Sequence, residues 1–498
     1  MLSTRHFYDT QAPAPVVSGF NKPCMQFKQM QLGGKHTGCS IVFSAFFVLS
    51  HSFRITINAQ MSKDKAVPTS KFSRALRFGS LAGRVASNVA YGGLKSMVTG
   101  QNKSTKELVL NSKNIEQLAQ QLAHLRGAAM KLGQLLSMDA GELLSPELSA
   151  LLSRLRNKAT PMPHKQLTQT LKQQWGAHWL DGLANFELRP FAAASIGQVH
   201  RAYTDSGTKL AVKVQYPGVA KSIESDVDNV VRLLKLTGLL PKGLDIDELI
   251  AEAKAQLLNE ADYTLEAHYM NQYQEKLGPS AHFVVPKAQS ELCTAQILAM
   301  EFVEGEAIEQ ALTCTQEERN RLVMHLLTLF MHELFDFRLM QTDPNFANYL
   351  YQRDTGRIVL LDFGATRAIS EPISRGYWQL IQGAITGDRG VMAQAARDIG
   401  YFSDDVDKGY EHNVLDIFAL ACEPLTADGE YDFASSDLAA RIKQKGLTMS
   451  SREQQWHSPP VDALFIHRKL AGLFLIAAKL QAKVNVSDIL ANFNGKTR

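Results

Sequence analysis

Three widely separated segments constrain this chain more than anything else in it: Ala211-Val212-Lys213, Asp343 with Asn348 five residues on, and Asp362-Phe363-Gly364. An amine, two carboxylates and an amide in that order are the parts that hold a magnesium-bound triphosphate for phosphoryl transfer. Lys213 would draw on the α- and β-phosphates, Asp343 would face an accepting hydroxyl or water, and Asn348 and Asp362 would hold the metal. Each segment is weak alone. A strand-end lysine is commonly just solvated, and an aspartate before proline commonly just makes a turn. Taken in order, they predict a nucleotide site.

Local context agrees with these roles. Lys209-Leu-Ala-Val-Lys-Val-Gln215 alternates and is rich in β-branched residues, so it reads as a strand. Ile358-Val-Leu-Leu361 follows the turn Asp354-Thr-Gly356, which puts Asp362 at the end of a hairpin strand. Asp343 follows an apolar helical run, Leu322 to Leu339, and precedes Pro344, which forces an extended exit. The kinase phosphate-loop pattern G-x-G-x-x-G-x-V falls on Ala192, Ala193, Ala194, Ser195, Ile196, Gly197, Gln198 and Val199. Two of its three glycines are therefore alanine. Alanine restricts the backbone and adds a methyl where the loop should close on phosphate. Such a loop should cover a nucleotide but grip its phosphates differently from a protein kinase. Further on, Met300-Glu301-Phe302-Val303-Glu304-Gly305 follows a strand and is placed to present backbone groups to adenine, with Met300, Glu301 and Val303 as the contacts.

Four longer stretches carry a resemblance to a known family: Phe191-Ala-Ala-Ala-Ser-Ile-Gly-Gln-Val-His200, Met130-Lys-Leu-Gly-Gln134, Asn259-Glu-Ala-Asp262 and Gln341-Thr-Asp-Pro-Asn-Phe-Ala-Asn348. They resemble the UbiB (aarF-domain) atypical kinases, with an alanine-rich loop, a KxGQ motif and an ExD motif. The match runs from about residue 113 to the C-terminus, and the Gln-Thr-Asp-Pro-Asn loop is most similar to the branch serving coenzyme Q. The resemblance implies an α+β, bilobal protein-kinase-like fold with an N-terminal helical KxGQ extension. It also implies ATP with Mg2+ or Mn2+, and ATPase or small-molecule kinase activity supporting ubiquinone biosynthesis. Carried over, it gives Lys131, Gly133 and Gln134 an inhibitory role over the place where a peptide would dock. Glu260 and Asp262 would meet that segment, with Glu260 pairing Lys131. Glu266 is the better candidate for the glutamate that positions Lys213; Glu260 competes for that role, and spacing does not decide between them. Without the motifs, these charges would read as the solvated face of one helix from Asp245 to Tyr273.

What the chain lacks points the same way. Gln341-Thr342 replaces the His-Arg of H-R-D, and Asn345 stands where protein kinases usually carry lysine. A helical pattern starts at Tyr377, soon after the DFG, leaving no long segment ending in A-P-E to bind an extended peptide. The competing reading, from another class, is a nucleotide-regulated scaffold for lipids or biosynthetic partners with little phosphotransfer.

With 498 residues and 45% apolar content the chain can bury a large core, and a net charge of only +4 gives no field for nucleic acid. Its five cysteines are scattered without a CxxC pair, which suits a reducing compartment. The cytoplasm with peripheral contact at the inner membrane is expected, or the mitochondrion in a eukaryote. Residues 1–60 carry one acid, Asp9, against five Lys/Arg, and read as a leader or as untranslated sequence upstream of Met61. Residues 61–112 form a basic segment in which Lys71, Arg74, Arg77, Arg84 and Lys95 punctuate an apolar stripe. It suits a membrane surface or quinone-precursor lipids, and equally a flexible linker. The remaining expected divisions are a helical extension over 113–180, a small lobe over 181–299 and a large lobe over 300–498. The large lobe ends in Leu464 to Leu480, read as a core helix too short to span a bilayer. Expected partners are an adenine nucleotide, a membrane surface and other ubiquinone-biosynthesis proteins, with no nucleic acid.

Overall fold

The computed structural model describes residues 161–237, 247–403, 405–452 and 460–494. The expectations for residues 1–160, including Lys131, Gly133 and Gln134, lie outside the described residues. After α1 (His164–Trp175) come β1 (Leu183–Phe186), β2 (Ala192–Ala193), β3 (Gly197–Thr204) and β4 (Lys209–Gln215). Then follow α2 (Val219–Thr237), α3 (Asp247–Glu260), α4 (Tyr263–Leu277), β5 (Phe283–Val284) and β6 (Ile297–Glu301). The large lobe opens with β7 (Glu306–Ala307), α5 (Gln316–Met331), β8 (Leu339–Gln341), β9 (Tyr349–Gln352), β10 (Arg357–Leu360) and β11 (Thr366–Ala368). It continues through α6 (Glu371–Thr386), α7 (Arg389–Ile399), α8 (Lys408–Ala421), α9 (Glu423–Thr426), β12 (Tyr431–Asp432) and α10 (Leu438–Arg452). It closes with α11 (Val461–Lys479), β13 (Lys483–Val484) and α12 (Val486–Asn494).

The small lobe is an antiparallel sheet in the order β1-β3-β4-β6, with β2 hairpinned onto β3. β4 lies between β3 and β6, which is why six of its seven residues are buried and its pattern is more apolar than an edge strand would need. In the large lobe, β9 and β10 form a tight hairpin whose turn contains Gly356 at φ +67°, as the Asp-Thr-Gly signal predicts. β8 pairs with β11, so the segments on either side of Asp343 and of the DFG are joined through one short ladder.

Four sequence expectations need correction. The apolar run into Asp343 is not one helix to Leu339. α5 stops at Met331, a π-helical turn covers His332–Asp336, and Arg338 at φ +47° swings the chain into β8. Apolar residues continue on both sides of that break, so periodicity alone runs through it. The helix expected from Asp245 to Tyr273 is two helices, because Asp262 leaves the helical conformation and caps α4 by accepting from Thr264 N at 3.0 Å. Met300 and Glu301 are the end of β6 rather than residues after it, since the pairing with β4 continues to Leu210↔Glu301. α6 begins at Glu371, not Tyr377, with Pro372 in its first turn, where proline costs no helical hydrogen bond. Among the described residues, no helix is long and apolar enough to cross a membrane.

One buried group makes the small lobe sensitive to acid. Gln198 Oε1 accepts from Met162 N, so its amide nitrogen faces His200 Nε2 at 2.9 Å; His200 Nδ1 then donates to Glu187 O at 2.8 Å. Both ring nitrogens are thus committed to the neutral form. Burial lowers the imidazole from 6.5 to about 4. Stability supplied by neutral His200 is fully present above 6.5 and is lost as pH falls toward 4, by an amount on the order of 3 kcal/mol. Thermal unfolding between pH 7.5 and 4.5 should therefore show a falling acid limb. His200→Gln, which cannot titrate, should make that limb shallower.

Candidate functional site

Lys213 sits in the middle of β4, flanked in register by Val199 on β3 and Leu298 on β6. Alternation turns its side chain off the sheet toward α4, where Glu266 waits in the first turn. Its Nζ donates to Glu266 Oε2 at 2.8 Å and Oε1 at 3.0 Å, so Glu266, not Glu260, makes the bidentate contact. The Tyr263 ring lies 4.9 Å from the ammonium. Burial opposes charge on Lys213, but Glu266 and Asp362 overcome it and hold the ammonium well above its usual range. Burial likewise pushes the Glu266 carboxyl up to about 7, against the pull of Lys213. The pair is buried, with Lys213 8% and Glu266 1% exposed. A neutral partner on either side would leave the other charge stranded.

The alanine loop is a short hairpin. Ala192 pairs with Val199 and Ala193 with Gln198, while Ala194 N donates to Gly197 O at 3.0 Å to close the turn. Ala192 and Ala193 are exposed, and Ala194 and Ser195 half-buried. Ser195 Oγ reaches Glu260 Oε2 at 3.5 Å, which ties the loop to the ExD segment. Gly197 is required by space rather than by turn geometry: a Cβ there would lie 2.5 Å from Val214 O and 2.8 Å from the Tyr263 hydroxyl. Glu260 therefore faces the loop, and Asp262 serves as a helix cap. The segment that both were expected to meet, with Lys131 as the partner of Glu260, is outside the described residues.

Asp343 and Asn348 flank a tight turn in which Asn345 accepts from Ala347 N. The Asn348 amide nitrogen donates to Asp343 O at 3.1 Å, and Gln341 Nε2 donates to the same carbonyl at 2.9 Å. That leaves the Asn348 amide oxygen as the end suited to a cation. Thr342 N and Oγ1 both donate to Ala365 O, stitching this loop to the residue after the DFG. Asp362 Oδ1 accepts from Gly364 N at 3.0 Å, which fixes the carboxylate's orientation. Phe363 is fully buried against Tyr273 of α4, with ring centroids 4.8 Å apart. The Tyr273 hydroxyl in turn accepts from Gln341 N and donates to Glu333. α4 thus carries Glu266 at one end and buttresses both the Asp343 loop and the DFG at the other. At the mouth, Met300 is buried at the end of β6, and Val303 lies half-buried in the connection to β7. Gly305 brings that connection against Leu350 of β9.

Sequence reasoning missed the contribution of α11. Arg468 Nη2 donates to Asp343 Oδ1 at 2.8 Å. Lys469 donates to Gln341 Oε1 at 2.9 Å and Tyr349 Oη at 3.1 Å, and lies 3.4 Å from Glu333. Both cations are buried, and Gly472 one turn on would place a Cβ 2.1 Å from Pro344. The only available signal was two adjacent cations just ahead of the apolar run Leu470 to Ala478, a pattern that reads as a flank, although they lie in the middle of α11.

The residues present suit a magnesium-bound nucleotide. Mg2+ is commonly held by one or two protein oxygens with phosphates and water completing its shell, and Asp362 and Asn348 offer oxygens of that kind. A buried lysine on a strand, pinned by a helix glutamate, belongs with them in a phosphoryl-transfer site. The fold and this arrangement define the chain as kinase-like, with the peptide-docking segment of protein kinases replaced by an immediate helix.

Residues 154–396 match the ABC1 atypical kinase-like domain. The chain is 38% identical over 431 residues to the Rattus norvegicus protein named atypical kinase COQ8B, mitochondrial, covering 86% of this chain and 81% of that one. It is 36% identical over 430 residues to atypical kinase COQ8, mitochondrial, of Saccharomyces cerevisiae, covering 86% and 85%. Among solved structures, the Rv3197–erythromycin complex from Mycobacterium tuberculosis superposes with a TM-score of 0.51 at 24% identity, over 79% of this chain and 97% of that one, a likeness of fold. This chain belongs to the UbiB (ABC1, aarF-domain) family of atypical kinases.

Proposed function

We propose that the chain is a MgATP-dependent ATPase or small-molecule kinase supporting coenzyme Q biosynthesis. The observation that carries this reading is the buried Lys213–Glu266 pair at 2.8 Å facing the Asp362 side of the site. MgATP would supply the transferable phosphoryl group, with the cation offsetting charge on its oxygens. Lys213 would draw on the α- and β-phosphates, while Asn348 and Asp362 hold Mg2+ or Mn2+. Asp343 would accept the proton of the incoming hydroxyl or water. The hairpin from Ala192 to Val199 would cover the nucleotide, with Met300, Glu301 and Val303 lining the adenine end. Lys131, Gly133 and Gln134 would restrain access together with Glu260 and Asp262. The coenzyme Q assignment is supported by relatives named COQ8 that align with most of the chain. Several of these are named mitochondrial, and a mitochondrial or bacterial inner-membrane surface is the place proposed for this chain.

The test is genetic. A strain lacking the gene should lose quinone and accumulate prenylated precursors, and wild-type protein should restore the profile. Asp362→Asn protein, expressed at the same level, should not. If that variant lost ATP turnover yet restored quinone, the enzyme reading would fail and a nucleotide-regulated scaffold would replace it.

A further inference from the structure

The loop around Asp343 has lost two cations that protein kinases place within it: Thr342 stands for the arginine of H-R-D, and Asn345 for the usual lysine. In their place, two adjacent cations arrive from α11, more than a hundred residues later in the chain. Arg468 bonds the Asp343 carboxylate, and Lys469 bonds Gln341 just before it and Tyr349 just after Asn348. Asp343 is thereby held at both of its functional groups. Its carbonyl accepts from Gln341 and Asn348, and its Oδ1 accepts from Arg468. A contact made only for stability is a poor explanation of Arg468. Its Nε and Nη1 are buried without a protein partner among the described residues, and a buried ion pair commonly contributes less than an apolar side chain of the same size. Removing a well-packed apolar option in favour of a half-satisfied guanidinium suits a role in holding the reacting group.

We infer that Arg468 is a positioning residue for phosphoryl transfer, fixing the carboxylate plane of Asp343 from the C-terminal helix, with Lys469 anchoring the loop on either side. This rests on the functional reading above. A planar guanidinium sets the direction of a carboxylate, whereas an ammonium supplies only a point charge. Arg468→Gln should therefore lower ATP turnover about tenfold to a hundredfold with the KM for MgATP and the affinity for ADP unchanged. Arg468→Lys, which keeps the buried charge and guards against misfolding, should fold like wild type and recover part of the turnover. Placed on Asp343→Asn, Arg468→Gln should add no further loss, because the group it orients has gone. An active wild type beside an equally active Arg468→Gln variant would overturn the positioning role alone. So would parallel losses of turnover and nucleotide affinity, or additive effects in the double variant. A wild type without metal-dependent ATP turnover would overturn the functional reading and this inference together.

Discussion

Lys213→Met should abolish most ATP turnover and, separately, destabilise the small lobe. The activity loss is expected on the order of 10²–10³-fold, because the amine proposed to draw on the phosphates would be gone from a buried site where charge is poorly screened. The stability loss comes from Glu266, which would remain 1% exposed with its cation removed. Breaking a buried pair from one side costs about 3–5 kcal/mol, less whatever the carboxyl recovers by taking up a proton. Burial already lifts Glu266 from an ordinary 4.5 to about 7 with Lys213 opposing, so the variant carboxyl would rise further. A carboxyl raised in the folded state contributes stability below its unfolded value and loses it as pH climbs through the folded one. Lys213→Met should therefore melt near wild type in mild acid and well below it at pH 8. Adding Glu266→Gln should restore the alkaline melting temperature and leave turnover low. Equal melting of the single and double variants at pH 8 would show that the pair is not buried as described.

Gly472→Ala should be the most damaging small substitution outside the nucleotide contacts. Its methyl would meet Pro344 Cβ at 2.1 Å and Cγ at 2.3 Å, and a proline ring has no rotamer by which to retreat. Either α11 or the Asp343 loop must shift, at a cost of about 1–3 kcal/mol. Turnover should fall with it, while ADP affinity, proposed to be set on the Lys213 side, should hold. The comparison is Gly446→Ala in α10, where nothing lies within 4 Å of the added methyl. That change should raise stability by up to about 1 kcal/mol, since alanine is the better helix former. Denaturant unfolding of the two variants, one lowered and one raised, checks the contact directly.

How far these features were readable from sequence depended on the range of the interaction. Lys213 at a strand, Asp362 after a hairpin and the Ala192–Val199 turn were legible because alternation, turn residues and proline act over a few neighbours. Their order predicted a nucleotide site, and the kinase-like fold was implied by the resemblance to the UbiB family. The end of α5 was not legible, because Leu334 and Leu339 keep the chain apolar across a π turn whose cause is tertiary: buried Glu333 meeting Tyr273 and Lys469. The break at Asp262 was hidden in the same way, since a cap and a solvated helix face offer the same residue types. Glu266 was separated from Glu260 only once α4 was docked on β4. Arg468 and Lys469 were the furthest from reach. Nothing local distinguishes a buried cation with a distant carboxylate from one exposed at a helix flank.

That α11 supplies the cover over Pro344 also bears on biosynthesis. A growing chain presents Lys213, Asp343 and Asp362 long before Val461–Lys479 emerges. Until it does, the loop bearing Asp343 lacks its overlying helix, and a product truncated ahead of that helix would carry every recognisable motif without the two cations that hold the loop in place.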